Sequence, residues 1–302
     1  MNKIVICIPT YKRPLLLKKL VLSISKNEID KTIIRPVPIL IVDNDSEKSA
    51  KVISDELRTI SLDGFKVLYY NYPVKGLSNV RNELFKRALK LKPDYIVSID
   101  DDEFVSSRWL NQLLLTIVEN KGDIALGPVI PAFEKRTPKY ISYWFEEYDF
   151  LNNQKVNYYK SGNYIICTKF LIKYNLKFDE RFNTSGGEDS YFGLTAMNKG
   201  ARIYWAKEAI AYEGIPDSRT KTSWLIERSY RGAINFVRRM KLEKQKFKLL
   251  KKVIISLFYI IVGVIGIIAL LLPIKKRLFG ILKLSEGIGG FAGILNIKYD
   301  GY

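Results

Sequence analysis

Along the first 130 residues, short apolar runs alternate with longer stretches whose apolar residues recur at helical spacing. KIVICI (3–8) is β-branched and closed by Pro9, the pattern of a buried strand. RPLLLKKLVLSISKN then has helical spacing, with Pro14 suited to a first helical turn. VPILIVDNDS predicts a second strand ending in Asp43, residues 47–60 a helix, and FKVLYYN a third strand. GLSNVRNELFKRALKLK is a helix with Leu77, Val80, Leu84 and Leu91 near one face. DYIVSI is a fourth strand that runs into Asp100, Asp101, Asp102 and Glu103; SSRWLNQLLLTIVEN is a helix and DIALGPVI a fifth strand. This alternation predicts parallel strands joined by crossover helices. Ligands of such open sheets bind at the carboxyl ends of strands, where Asp43 and Asp100–Asp102 fall.

Beyond residue 130 the pattern loosens into an aromatic-rich stretch with a strand over 163–167. GGEDSYFGLTAMNKGARIYW predicts a glycine loop, a helix ending before Gly200, and a strand. A basic helix over 222–240 leads into VIISLFYIIVGVIGIIALLLPI (253–274), uncharged and long enough to cross a hydrocarbon core. A second apolar run, 278–295, carries Lys283 and Glu286. The expected organisation is an α/β domain over 1–236 and a basic, membrane-associated segment over 237–302. The first apolar run lies between KFKLLKK and KKRLFG, so flanking charge sets no direction; a hairpin or re-entrant pair suits both clusters better than one span. The start, MNKIVICIPTYKRP, reads as a first strand and not as a signal peptide.

The 302 residues include no histidine, which excludes Ser/His triads, His bases and His-ligated zinc. Acid–base chemistry then falls to Asp, Glu, Lys, Tyr or Cys. Cys7 and Cys167 lie in apolar runs, as buried free thiols would. The net charge is +18, and the last 65 residues hold thirteen Lys/Arg against three acids, so +10 of it. A basic cluster beside an apolar run favours anionic lipid surfaces.

Consecutive carboxylates at a strand end suit Mg²⁺ or Mn²⁺, which take one or two carboxylates and complete their shells with water and phosphate oxygens. The alternative is an acidic turn before the next helix. In SGGEDSYF, Gly186 and Gly187 permit a sharp turn, and the following Glu188 and Asp189 read as a base or as a helix cap.

In order and spacing, VICIPTYKRP, ILIVDNDS, GLSNVRNEL, DYIVSIDDDEF…WL, SGN, FDERF…GGEDSYF and W…R…RG resemble the family 2 glycosyltransferases of bacterial polysaccharide and lipopolysaccharide assembly. The resemblance spans residues 3 to about 235 and implies the GT-A nucleotide-diphospho-sugar transferase fold. It implies that Pro9, Thr10, Tyr11, Arg13, Asp43, Arg81, Asp100 and Asp101 hold the nucleotide-sugar, with Thr10 and Asp43 at the base. It places a Mn or Mg ion on Asp102, the catalytic base at Asp189, and Glu188 beside it on the acceptor. Transfer would proceed with inversion, from a UDP-sugar to a glycan or lipid-linked acceptor. The site would lie at the cytoplasmic face of the cell membrane, held through the C-terminal region by anionic lipids. Nucleic acid is not an expected partner. Where many relatives carry a histidine, this chain has Glu213; Glu213, Arg219, Arg228 and Arg231 are candidate metal or diphosphate contacts. The rival readings are a metal-dependent nucleotidyltransferase, for which PTYKRP lacks the phosphate-loop glycines; a non-catalytic basic module, which leaves the acidic cluster without a purpose; and a glycoside hydrolase, which has no need of Asp43 or VRN.

Overall fold

The structure is a computed structural model that describes residues 1–146, 148–244, 246–268 and 273–297. Strand β1 (Ile4–Thr10) is buried at all seven positions because it has neighbours on both edges and both faces. Ile4, Ile6 and Ile8 enter one core cluster, while Val5 and Cys7 enter another on the opposite face, as the two-residue period of a strand requires. Helix α1 (Pro14–Ile24) begins on its proline and buries Leu17, Leu20, Val21 and Ile24 in the first cluster. Then follow β2 (Val37–Asp43), α2 (Lys51–Thr59), β3 (Phe65–Asn71) and α3 (Leu77–Lys90), whose Val80, Leu84 and Ala88 enter the second cluster. Helices α1 and α3 thus cover opposite faces of the sheet.

The chain continues through β4 (Tyr95–Ser98), β5 (Glu103–Val105), α4 (Trp109–Glu119), β6 (Ile124–Leu126), β7 (Val129–Phe133), α5 (Lys139–Ser142), β8 (Tyr164–Cys167), α6 (Thr168–Lys173), α7 (Glu188–Asn198), β9 (Ile203–Trp205) and β10 (Ala211–Ile215). The main sheet has the order β3-β2-β1-β4-β8-β6-β9. It is parallel except at β8, which runs antiparallel to β4 and β6. The sheet is thus mostly parallel, as expected, and β8 is reversed because it follows a long aromatic connection and not a crossover helix. DIALGPVI is also not one strand: β6 joins the main sheet, and β7 joins a second sheet of order β5-β10-β7. Strands β5 and β10 were not expected. They are short, and each carries a glutamate, so neither shows an apolar run. Cys7 is buried and Cys167 half-buried, and both are free thiols.

The chain divides into two compact units: Met1–Ala132, Glu146–Asn183 and Glu188–Gly214 form the first, and Phe133–Phe145, Thr184–Gly187 and Ile215–Tyr302 the second. The division falls at 214/215 and not at 236/237, because α8 (Thr222–Leu242) packs with the C-terminal helices α9 (Lys246–Ile268) and α10 (Ile274–Ile294). The second unit is centred on Ile141, Leu225, Leu278 and Leu282, with Phe145 stacked on Trp224 at 5.7 Å. Helices α9 and α10 are antiparallel: a Cβ on Gly266 would meet Gly280 at 3.1 Å, and one on Gly290 would meet Ser256. Of the first expected apolar run, residues 269–272 lie outside the described residues.

Asp43 closes β2 with its carboxylate fully buried. Its Oδ1 accepts from the Asp45 N–H at 3.0 Å, and its Oδ2 from the Ala50 N–H and the Tyr69 hydroxyl, each at 3.0 Å. These bonds fold the loop that starts α2. Asp43→Ala strands two backbone donors and a phenol, and is expected to lower the unfolding free energy by about 2–4 kcal/mol. Urea unfolding measures this, and an unchanged midpoint would remove the structural role.

Candidate active site

After Ser98 the chain leaves the main sheet and turns through Asp100, Asp101 and Asp102 before β5 begins on the fourth acid, Glu103. Each of the first three carboxylates meets a different set of partners. Thr10, the last residue of β1, donates its hydroxyl to Asp101 Oδ2 at 2.7 Å. Arg13 Nη1 bridges Asp101 Oδ1 at 3.2 Å and Asp102 Oδ2 at 2.9 Å. Arg81, on the buried face of α3, donates through Nη2 to both Asp100 oxygens at 3.0 and 3.3 Å. The repulsion among neighbouring acids is therefore offset by two arginines from helices on opposite faces of the sheet.

Burial sets much of the site's electrostatics. It pushes the Asp101 carboxyl up to about 6, against the pull of Arg13 and the Thr10 hydroxyl. Asp100 is also raised, by burial and by Asp102 and Asp189, against the opposing Arg81. Arg81 is 4% exposed. Burial works against its charge, but Asp100, Glu188 and Asp189 hold it above the ordinary arginine range. Its Nε and Nη1 are buried and have no hydrogen-bond partner among the described residues.

Asp189 lies in the first turn of α7. Its Oδ1 accepts from the Ser190 N–H at 2.6 Å, and its Oδ2 from the Ser161 hydroxyl at 3.4 Å. It stays partly exposed, whereas Glu188 is 3% exposed. Burial, with Asp189 adding to it, pushes the Glu188 carboxyl up to about 7 despite Arg81. The pair is thus divided: Asp189 is accessible, and Glu188 is turned inward under the influence of Arg81. Glu188, expected beside the base on the acceptor, is enclosed next to Arg81 in this structure. Asp43, expected at the nucleotide base, has its buried oxygens engaged by the loop after β2 and by Tyr69. Thr10 is 3% exposed and engaged with Asp101, while Tyr11, next to it, is 54% exposed.

Glu103 had no assigned role, and Ser161-Gly162-Asn163 entered only as a motif of the resemblance; both lie beside the acidic turn. Glu103 is 4% exposed, and its Oε2 has no hydrogen-bond partner among the described residues. Burial and the charges of Asp100, Asp102 and Glu213 raise its carboxyl well above the usual range, while Lys160 opposes them. Glu213 of β10 lies directly across from Glu103 in the antiparallel register, so the acid found where relatives carry a histidine joins the acidic cluster. Gly162 adopts φ +116°, and a Cβ there would come within 2.7 Å of Glu103 Oε1. Asn163 accepts from Trp109 Nε1 at 2.7 Å and donates to the Pro128 and Ala209 carbonyls at 3.0 and 2.7 Å. A cation before a strained glycine was the available signal in the sequence. Pro9 belongs to β1 itself. Arg219, Arg228 and Arg231 are in the second unit, where the Arg228 guanidinium lies over the Phe145 and Trp224 rings at 5.6 and 5.2 Å.

The raised carboxyl of Glu188 has a stability consequence of definite sign. The folded chain keeps a proton that the unfolded chain releases near its ordinary value of 4.5, so this contribution is present at low pH and is lost as pH rises towards about 7. Between about pH 5 and pH 8 the native chain is expected to lose about 2–3 kcal/mol more stability than Glu188→Gln. Urea titrations across that range test it; parallel curves would contradict the assigned burial.

The sequence matches Glycosyl transferase family 2 over residues 5–178. It is 28% identical over 228 residues to the succinoglycan biosynthesis protein ExoM of Rhizobium meliloti (strain 1021), covering 74% of this chain and 70% of that one. Among solved structures, S. aureus TarS 1–349 in complex with UDP superposes with a TM-score of 0.55 at 17% identity, over 98% of this chain and 93% of that one. The same TarS segment in complex with UDP-GlcNAc gives 0.56 at 18% identity with the same coverage. These superpositions establish the GT-A type of α/β fold. The family match covers more than half of the chain and includes β1, β2, the acidic turn and β8; the chain belongs to glycosyl transferase family 2.

Proposed function

We propose that this glycosyltransferase moves a sugar, with inversion, from a UDP-sugar to a hydroxyl of a glycan or lipid-linked acceptor in cell-surface polysaccharide assembly. The observation that carries the reading is the acidic turn after β4: the buried Arg81 holds Asp100, whose side chain is 31% exposed, close to Asp102 and the partly exposed Asp189. Accessible carboxylates held together in this way suit a divalent ion whose shell the phosphate oxygens of the donor complete. The polysaccharide context is supported by the succinoglycan relative, and the UDP donor by the TarS complexes.

The residues suit a hard divalent cation. Glu103 Oε2 is buried without a partner, and Asp102 and Glu213 act electrostatically on the same carboxylate. Among the described residues no three acids are arranged to cage an ion by themselves; Mg²⁺ or Mn²⁺ needs only one or two carboxylates when phosphate completes the shell. We assign that ion to Asp102, with Glu103 and Glu213 as supporting carboxylates. When bound, it supplies Lewis-acid neutralisation of the departing diphosphate.

The chain's own groups do the rest. Arg13 and Arg81 hold the acidic turn in place. Tyr11, exposed after β1, and Asp100 face the nucleotide-sugar. The Ser190 N–H and the Ser161 hydroxyl fix the carboxylate of Asp189, which takes the proton of the acceptor hydroxyl. The acceptor oxygen bonds to the anomeric carbon as the bond from that carbon to the diphosphate oxygen breaks, and the nucleoside diphosphate leaves with the electron pair. One displacement inverts the anomeric centre, and no protein nucleophile is required. Nucleotide sugars are cytosolic, so the site works at the cytoplasmic face of a membrane that presents the acceptor. One helix among the described residues, with the window Leu249–Gly266 at mean hydropathy 2.1, is long and apolar enough for a membrane.

Asp102→Asn and Asp189→Asn are each expected to reduce UDP release by about 10²-fold or more without loss of fold. A chelator should have the same effect on the native enzyme, and UDP with Mn²⁺ should raise its melting temperature. Unchanged turnover in either variant would remove that residue's role.

A further inference from the structure

The second unit shows how the chain can meet a membrane. Leu250, Ile254, Leu257, Phe258, Ile261 and Ile265 of α9 are each between 50% and 63% exposed. Their spacing puts them on one helix face, a stripe of about 22 Å at 1.5 Å per residue. Only 17% of the apolar window is buried within the protein. The opposite face of α9 is closed by α10: Gly263 lies against Leu284, Gly266 against Gly280, and Gly287 against Ile260. On that inner side Lys252 is 6% exposed and pairs with Glu286, which also pairs with Lys283, while the exposed Lys251 stands at the N-terminal end of the stripe.

Helix α10 is in turn fastened along the length of α8. Leu278 and Leu282 pack with Leu225, Ser285 donates to the Ile226 carbonyl at 2.7 Å, Gly289 lies against Tyr230, and Gly293 against Val237. Lys241 closes the far end, donating to the Gly293 and Ile294 carbonyls. Helix α8 carries Glu227, Arg228, Arg231, Arg238, Arg239 and Lys241. Charged side chains at the centre of a bilayer are strongly unfavourable, so α8 stays in water. Because α10 is held to α8 and α9 to α10, α9 has no freedom to cross a bilayer alone.

We propose that α9 lies in the plane of one leaflet of an anionic bilayer, its Leu250–Ile265 face among the acyl chains and α10 and α8 stacked behind it towards water. The chain is then held by one leaflet and does not span. Charge selects this occupant over a second copy of the chain. Thirteen Lys/Arg against three acids from residue 238 onward would repel across a self-interface, whereas anionic headgroups attract them. The inference rests on the reading that the enzyme works at a membrane, and adds how it is attached.

The test uses the full chain with Cys167→Ser, Cys7 being left enclosed in β1, and one added cysteine per variant, Leu250→Cys, Ile254→Cys, Ile261→Cys or Ile265→Cys, each carrying an environment-sensitive dye. Flotation is measured with vesicles of phosphatidylcholine alone and with added phosphatidylglycerol. Dye depth is read by quenching with lipids brominated at graded chain positions. Expected are flotation that depends on phosphatidylglycerol and one shallow depth at all four positions. Leu257→Asp with Ile261→Asp should weaken partitioning about tenfold or more with an unchanged circular dichroism spectrum. Flotation with depth that changes steadily along α9 would overturn in-plane attachment and leave membrane action standing. Absence of flotation would overturn both. Dyes buried without lipid, together with a dimer mass by light scattering, would assign the face to a second copy and overturn the proposal.

Discussion

Carboxylates concentrated in one turn are stable together only when cations are built in beside them, and here the two faces of the sheet each supply one. Arg13 comes from the start of α1 and Arg81 from the middle of α3, and between them they reach Asp100, Asp101 and Asp102. The balance is incomplete. Asp100, Asp101, Glu103 and Glu188 remain raised by burial and by one another, and Arg81 keeps two unmatched donors. Such a site has capacity for a further cation that relieves the acids, and a metal-bound diphosphate brings one.

The floor of the site depends on backbone placement as much as on charge. Gly162 lets the chain pass within reach of Glu103, where a side chain would collide with its carboxylate. Asn163 then ties the loop to Trp109 of α4 and to the carbonyls of Pro128 and Ala209. Three segments distant in sequence are thereby held by one buried amide. Position 213 is set the same way, because pairing of β10 with β5 brings Glu213 opposite Glu103. The acid at that position contributes to the negative charge of the cluster, and a histidine there would not.

The second unit solves a different problem. Its helices are joined by close glycine approaches and by an ionic group shielded between α9 and α10, and the outer face of α9 is left as an apolar stripe. Small residues allow backbones to approach closely, and that closeness couples an apolar helix to a charged one.

The strands β1–β4 and the helices α1–α4 were legible in the chain because their apolar periodicity is strong and local. So was the acidic turn, since adjacent like charges are conspicuous in a basic sequence. The resemblance of the motifs was enough to point to the family. What periodicity could not supply was anything decided by pairing between distant segments. The reversed direction of β8, the small sheet that places Glu213, the inward turn of Glu188 and the enclosure of Asp43 all depend on which element lies next to which. The sequence by itself determined that a mostly parallel α/β sheet would end in a cluster of acids. Tertiary structure alone decided which of those acids are neutralised, which are buried and which stay open, because exposure and charge pairing are properties of neighbours in space.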